Sequence, residues 1–234
     1  IGQKNHEMAN KSARQVLFII TAISVAVTTL CLIFRIPLLQ FIFGKVEADV
    51  MTASRTYFFY TALSFPFIAL YDAGASIFRS QGNTRGPMTV SVISNVINIG
   101  GNAVLIWVFH MGVAGAAIAT LASRIFCAVV VLWQLRLDRQ PIVVKNYYQI
   151  RPDGKMIGRI LSLGIPSGVE NSMFQLGKLS IQSSVSTLGT IAIAAQAMTN
   201  ILENLNGIAA IGVGIGLMTV VGQCLGAGRK DEAI

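Results

Sequence analysis

Apolar residues dominate the chain in six long runs that are separated by short polar turns. The runs cover Gln15–Phe43, Thr52–Phe78, Pro87–Phe109, Gly112–Leu135, Met156–Leu188 and Thr190–Leu225. Each run exceeds the roughly 20 apolar residues that a helix needs to cross a bilayer. The pattern predicts an all-α membrane protein, a polytopic helical bundle with six transmembrane helices.

Polar segments between the runs indicate how the helices are grouped. Short turns such as Gln81–Gly86 and His110–Gly112 contain the Gly, Asn and Thr residues that favour tight reversals. The longest polar stretch, Arg136–Lys155, is predicted to link two bundles. Residues 1–135 would then hold four transmembrane helices, residues 136–155 a cytoplasmic linker, and residues 156–234 two further helices.

Charge is scarce along the chain and lies mostly on one side of the predicted zigzag. Only 12% of residues are charged, against about 25% in soluble domains. The net charge of +8 comes from Lys and Arg residues that flank alternate turns, namely Lys4, Lys11, Arg14, Arg79, Arg85, Arg136, Arg139, Lys145, Arg151, Lys155, Arg159, Arg229 and Lys230. The positive-inside rule places these turns in the cytoplasm. The excess charge therefore reflects topology in a multi-pass protein of the plasma or inner membrane, and we expect lipid and not nucleic acid as its surroundings.

The three cysteines show no sign of a structural or catalytic role. Cys31, Cys127 and Cys224 lie in separate apolar runs, at spacings that fit neither a disulfide framework nor a zinc site. We expect the three cysteines to be small buried side chains. For the whole protein we expect no cofactor and a monomeric state.

The two ends of the chain resemble each other. Gly2–Ala9 and Gly226–Ala233 both carry glycine, basic, acidic and alanine residues in nearly the same order. Internal repeats of this kind are typical of transporters built from homologous lobes. An even number of spans per repeat makes the two lobes parallel. We expect a piece of a longer protein, comprising the back of one lobe and the front of the next.

Polar side chains recur at helical spacing inside three of the runs, where each set occupies one helix face. The sets are Ser91, Asn95, Asn98 and Asn102; Ser167, Asn171, Gln175, Lys178 and Gln182; and Gln196, Asn200, Glu203 and Gly207. Amides that face lipid would be left unsatisfied, so these faces must meet protein or water. A single set is explained by hydrogen bonds between helices. Three sets together favour a water-filled cavity.

Ionisable residues also lie at membrane depth. Glu170 and Glu203 fall near the predicted bilayer middle, Asp72 precedes Arg79 by seven residues, and Lys178 belongs to the second polar set. Each costs roughly 2.5–3.5 kcal/mol or more at the membrane centre unless it is paired or hydrated.

Two explanations fit these charges. A structural ion pair, Glu170–Lys178 or Glu203–Lys178, would neutralise these charges and give them no role in transport. A carboxylate that binds a proton or a cation is the favoured interpretation, with a possible Na⁺ near Glu170 or Glu203. The sequence does not decide whether Arg124 is paired or reaches toward the interface.

The segment Phe78–Met88, which reads Phe-Arg-Ser-Gln-Gly-Asn-Thr-Arg-Gly-Pro-Met, resembles the multidrug and toxic compound extrusion (MATE) family. The segments Gly115–Thr120, Gly164–Gly168 and Gly222–Gly228 are similar to the same family. The resemblance implies twelve spans in two six-helix lobes, with this chain forming the third to the eighth. It also implies export of amphipathic, often cationic compounds in exchange for H⁺ or Na⁺.

The resemblance implies candidate site residues as well. Many members pair an Asn with an Asp four residues later on the fifth helix, where this chain has Asn98 and Asn102. Thr120 matches a hydroxyl near that site. Many members carry a glutamate on the seventh helix at the position of Phe174, and Glu170 lies one turn earlier here.

Two other function classes can be compared with a drug or cation antiporter. A flippase for lipid-linked oligosaccharides has a related architecture and would favour a cationic cavity, which Lys178 and Arg124 leave open. An intramembrane protease would need a Ser–His pair within the membrane. His6 lies in a predicted loop and His110 at an interface, so Ser167 has no such partner, and we predict that the chain is not an enzyme.

Overall fold

The computed structural model describes residues 5–43, 48–137, 142–143, 152–186 and 190–229, and within these ranges the chain is helical with no β-strand. The helices are α1 (His6–Ile33), α2 (Arg35–Phe43), α3 (Ala48–Ser80), α4 (Arg85–Ala103), a π-helical turn (Val104–Val108), α5 (Gly112–Arg136), α6 (Gly154–Ser186) and α7 (Thr190–Gly226). The predicted all-α class is confirmed.

Five stretches of the described helices are long and apolar enough to cross a membrane: His6–Ile33, Met51–Ser80, Arg85–Val108, Gly112–Arg136 and Ala195–Gly226. The polytopic character predicted from the sequence is confirmed. The fifth predicted span, Met156–Leu188, forms α6, which is 33 residues long but is not among these five. Its many serines, glutamines and glycines lower its hydropathy, so a count of six spans stays a prediction.

The first predicted span is divided in two. Asn5 caps α1 by accepting a hydrogen bond from the Met8 backbone N–H at 3.1 Å, so this helix begins well before Gln15. The helix ends at Ile33, and α2 starts at Arg35. Pro37 lacks the N–H that would bond to the Ile33 carbonyl, and its ring clashes with that turn. The chain therefore breaks at Phe34.

The described chain divides into two compact units, one formed by Asn5–Pro152 and the other starting at Asp153. The core of the first unit lies where α1, α3, α4 and α5 meet. Phe78, Val90, Val131 and Leu135 are almost fully buried there. A Cβ on Gly74 would collide with Cγ1 of Val131, so glycine allows the close approach of α3 to α5.

Most of the predicted linker Arg136–Lys155 lies outside the described residues, but its middle is placed. The backbone N–H of Ile142 donates to Oε1 of Gln81 at 3.2 Å, and that of Val143 donates to Oδ1 of Asn10 at 3.0 Å. The Ile142 side chain is 3% exposed and joins the core of the first unit. This part of the linker is therefore bound to the ends of α1 and α3.

The second unit contains α6 and α7, which pack against each other. None of its described side chains is fully buried. Both segments of the predicted repeat, Gly2–Ala9 and Gly226–Ala233, extend outside the described residues, so the repeat stays a prediction.

Candidate functional site

A cluster of neutral polar side chains joins α4 to α5, and we call it the amide–hydroxyl cluster: Ser94, Asn98, Asn102, Thr120 and Ser123. Nδ2 of Asn98 donates to Oγ1 of Thr120 and to Oγ of Ser123, each at 3.4 Å. Nδ2 of Asn102 donates to Oδ1 of Asn98 at 3.2 Å. Ser94 donates to the Ser123 carbonyl at 3.0 Å. The structure thus brings together three predicted site residues, Asn98, Asn102 and Thr120.

Close packing beside the cluster depends on small residues. A Cβ on Gly115 would lie 3.0 Å from Cβ of Leu105, and a Cβ on Gly101 would lie 3.2 Å from Cβ of Ala119. The π-helical turn Val104–Val108 includes Leu105, one of these contacts. Oδ1 of Asn102 is buried, with no hydrogen-bond partner among the described residues. The cluster therefore offers one free amide oxygen and no ionisable group.

The sequence pattern missed two of the five residues of this cluster. Ser94 and Ser123 are buried, whereas Asn95, which shares the predicted polar set, is exposed. Ser94 lies four residues before Asn98, and that spacing was the signal that could have identified it.

Arg124 and Asp72 lie elsewhere in the first unit. Nη1 of Arg124 donates a hydrogen bond to Oγ of Ser64, a fully buried residue of α3. Arg124 is therefore partnered, which the sequence left undecided. Asp72 is exposed on α3 and does not belong to the amide–hydroxyl cluster.

A groove of about 780 Å³ runs between α6 and α7. Its polar lining follows one face of each helix, with Gln175, Lys178 and Gln182 on α6 and Gln196, Asn200, Glu203 and Asn204 on α7. Nζ of Lys178 lies 3.5 Å from Oε1 of Glu203. Nε2 of Gln196 donates to Oδ1 of Asn200 at 3.5 Å. Five predicted site residues thus line one groove within the second unit: Gln175, Lys178, Gln196, Asn200 and Glu203.

An aromatic ring lies beside the charged pair in the groove. Nζ of Lys178 lies 5.0 Å from the centre of the Phe174 ring, within the range of a cation–π contact. Phe174 also lines the groove. Phe174 and Asn204 were not among the predicted site residues, although Asn204 follows Asn200 by one helical turn.

The other two predicted site residues of α6 lie away from the groove. Nδ2 of Asn171 donates to the Ser167 carbonyl at 2.9 Å, within its own helix. Glu170 is exposed and does not line the groove. It precedes Lys178 by eight residues, or about 12 Å along the helix, so Lys178 pairs with Glu203 instead.

The described residues contain no group of three or more His, Cys, Asp or Glu side chains that could hold a metal ion. A weakly bound Na⁺ needs only oxygen ligands, which the Glu203 carboxylate and the amides of Gln196 and Asn200 possess.

Comparison with known proteins finds a matching family model and several relatives of this chain. The family model described as MatE matches residues 1–104 and 166–233. The probable multidrug resistance protein YoeA of Bacillus subtilis is 26% identical over 239 residues, covering 99% of this chain and 51% of the relative. The probable multidrug resistance protein NorM of Thermotoga maritima is 27% identical over 200 residues, covering 82% and 42% respectively. The chain spans about half the length of the curated relatives it matches.

Solved structures show the same fold. A MOP superfamily transporter from Pyrococcus furiosus, described as having a binding pocket of reverse polarity, matches with a TM-score of 0.88 at 21% identity. It is matched over 99% of this chain and 51% of that chain. The Vibrio cholerae MATE transporter VcmN, in a mutant form, matches with a TM-score of 0.86 at 22% identity, over 100% and 52%. The chain therefore belongs to the MatE family, the multidrug and toxic compound extrusion family, whose members are membrane transporters and not enzymes.

Proposed function

We propose that the whole protein is a secondary active transporter that exports amphipathic, often cationic compounds by antiport with H⁺ or Na⁺. The observation that carries this proposal is the groove between α6 and α7. It combines a carboxylate, an aromatic ring and several amides, which together suit an organic cation with apolar parts. The multidrug names of the curated relatives support the same substrate class.

Glu203 is the proposed coupling residue. A ligand drives a conformational change only if it binds the two conformations with different affinity. A carboxylate can meet this requirement, because its ionised form attracts a cation and its neutral form tolerates a closed, drier cavity. H⁺ would neutralise Glu203 directly, and Na⁺ would do so as an ion held by the carboxylate and neighbouring amide oxygens.

The amide–hydroxyl cluster has a different proposed role. Asn98 and Thr120 hold α4 against α5, and Asn102 leaves one amide oxygen unpaired within the described chain, so the cluster can hydrogen-bond a substrate but has no ionisable group. Asp72 and Glu170, which are exposed and lie outside the cluster and the groove, are secondary candidates for ion coupling.

The arrangement in the membrane is part of the proposal. The positive-inside rule places the turn at Gln81–Gly86 and the linker in the cytoplasm of a protein of the plasma or inner membrane. Residues 1–135 would form the back of the first of two parallel lobes, and residues 156–234 the front of the second. A monomer is sufficient, because the proposed groove lies within one chain.

The alternative is a flippase for lipid-linked oligosaccharides. Lys178 in the groove favours it, since a pyrophosphate needs a cationic partner. Glu203 argues against it, because the carboxylate lies 3.5 Å from that ammonium and cancels its charge.

The proposal is tested by drug efflux from cells that produce the whole protein. Glu203→Gln keeps the shape of the side chain and removes its negative charge, so it is expected to abolish export without loss of membrane expression. Glu170→Gln, a matched change on α6 outside the groove, is expected to retain most of the export. Full efflux by the Glu203→Gln variant would contradict the proposal, as would loss in Glu170→Gln alone.

A further inference from the structure

The ammonium of Lys178 lies at the point in the groove where an organic cation would be most stable. It is 3.5 Å from the Glu203 carboxylate and 5.0 Å from the centre of the Phe174 ring. Carboxylates and aromatic faces both attract organic cations in proteins. The groove therefore already contains a cation, which is covalently attached to α6.

We propose that Lys178 is a tethered competitor for organic cations: it occupies the cation subsite formed by Glu203 and Phe174 and leaves when a cationic substrate binds. The inference rests on the proposed function for the substrate class, and on the geometry of α6 and α7 for the mechanism. The substrates selected would be cations whose charge is spread over apolar or aromatic groups.

The geometry of the contact indicates that the pair can open. A single long contact of 3.5 Å joins Lys178 to Glu203, and both side chains line the groove. In a water-filled groove an ion pair of this kind contributes little to stability, since water solvates both partners when they separate. A buried pair would resist separation, because it would leave an uncompensated charge. Lys178 is thus held in the subsite weakly enough to be displaced.

The chemistry of lysine makes it a suitable competitor. Its ammonium is compact and strongly hydrated, and it sits on a flexible four-carbon stem. The ammonium is stabilised by hydration when it returns to water. A delocalised organic cation is instead stabilised when it leaves water for the Phe174 face. An apolar cation therefore displaces Lys178 more readily than a small hydrated one does.

The charge balance of the groove leads to a measurable consequence. Among the described residues that line it, Lys178 and Glu203 carry the charges, so the lining is neutral overall. Removing the ammonium leaves a net negative groove with an unoccupied subsite. Loss of Lys178 should then strengthen the binding of cations, where loss of an ordinary binding residue would weaken it.

The test uses two probes of matched shape and opposite charge, tetraphenylphosphonium and tetraphenylborate. Their binding to the purified whole protein in detergent is measured by titration calorimetry against a detergent blank. Lys178→Met is expected to raise the affinity for tetraphenylphosphonium about two- to fivefold, the range set by a hydrated ion pair. It is expected to lower the affinity for tetraphenylborate. Lys178→Arg keeps the charge and should bind both probes as the unchanged protein does.

A second variant, Glu203→Gln, controls for misfolding of Lys178→Met. Glu203→Gln removes the carboxylate from the same subsite and should weaken tetraphenylphosphonium binding while Lys178→Met strengthens it. Equal or weaker tetraphenylphosphonium binding by Lys178→Met would overturn the inference.

The outcome is separable from that of the transport proposal. If efflux fails while Lys178→Met strengthens and Glu203→Gln weakens tetraphenylphosphonium binding, the role of Lys178 as a tethered competitor is supported and the proposed export is contradicted. If efflux succeeds and Lys178→Met binds both probes as the unchanged protein does, the tethered competitor falls and the export stands.

Discussion

At the scale of single residues, Asn98 is the centre of the contacts between α4 and α5. Its amide group takes part in three hydrogen bonds, to Thr120, Ser123 and Asn102. Such bonds contribute modestly in membrane proteins, at about 0.6 kcal/mol each. Their combined effect still matters here, because small residues bring the two backbones close together at the same place.

Replacement of Asn98 by alanine is therefore expected to lower the free energy of unfolding by about 1 to 2 kcal/mol. The measurement is denaturant unfolding of the whole protein in detergent, followed by tryptophan fluorescence. Asn95→Ala is the matched control, because Asn95 lies on the same helix and is exposed. An equal loss of stability in both variants would show that the amide–hydroxyl cluster does not hold α4 against α5.

Helical spacing in the sequence identified the faces of these residues but not their partners. It placed Gln196, Asn200 and Glu203 on one helix face, and in the structure these three residues line one groove. It offered Glu170 and Glu203 equally as partners of Lys178. The choice depends on how α6 and α7 are aligned with each other, which is a tertiary property. Spacing within one helix carries no information on it.

At the scale of helices, the sequence predicted where most elements lie but not how they end. Apolar runs located α3, α4, α5 and α7 because bilayer thickness sets their length. The break at Phe34 was missed because the residues around Pro37 are as apolar as those before them. The extension of α1 to His6 depends on a cap from Asn5, which hydropathy does not detect.

The linker shows a second limit of the same reasoning. Its polar composition predicted a link between two bundles but gave no sign that Ile142 is bound to the first unit through its backbone and its side chain. A short apolar stretch such as Ile142–Val144 in a polar segment is a weak signal by itself. Ile142 and Val143 anchor the linker because the first unit buries the Ile142 side chain and Gln81 and Asn10 supply hydrogen-bond acceptors.

Loss of the Gln81 acceptor is expected to release this anchor. Gln81→Leu removes the bond to the Ile142 N–H, so that amide should exchange with solvent deuterium about tenfold faster, as expected for loss of a bond worth roughly 1 to 1.5 kcal/mol. Hydrogen–deuterium exchange on the whole protein in lipid nanodiscs measures this rate. Thr84→Ala is the control, since Thr84 lies in the same turn and its side chain does not cap α4. Unchanged protection of Ile142 in Gln81→Leu would show that the anchor does not depend on this bond.

At the scale of the whole molecule, the chain is an all-α member of the MatE family that covers about half the length of its relatives. The described part contains two different polar sites, a neutral cluster in the first unit and a charged groove in the second. Of these two, the groove combines an ionisable group with space for a ligand. For that reason we propose Glu203, and not the amide–hydroxyl cluster, as the site of ion coupling.

If Glu203 couples the flow of H⁺ or Na⁺ to the export of substrate, an ion gradient drives an organic cation through this protein. The decisive experiment reconstitutes the whole protein in liposomes and follows ethidium by fluorescence while a gradient of H⁺ or Na⁺ is imposed. We predict that ethidium accumulates against its own concentration gradient when one of these ions is made to flow the opposite way. An ionophore that collapses the ion gradient should stop the accumulation, and Glu203→Gln should show none. A distribution of ethidium that responds to neither gradient would contradict the proposed antiport.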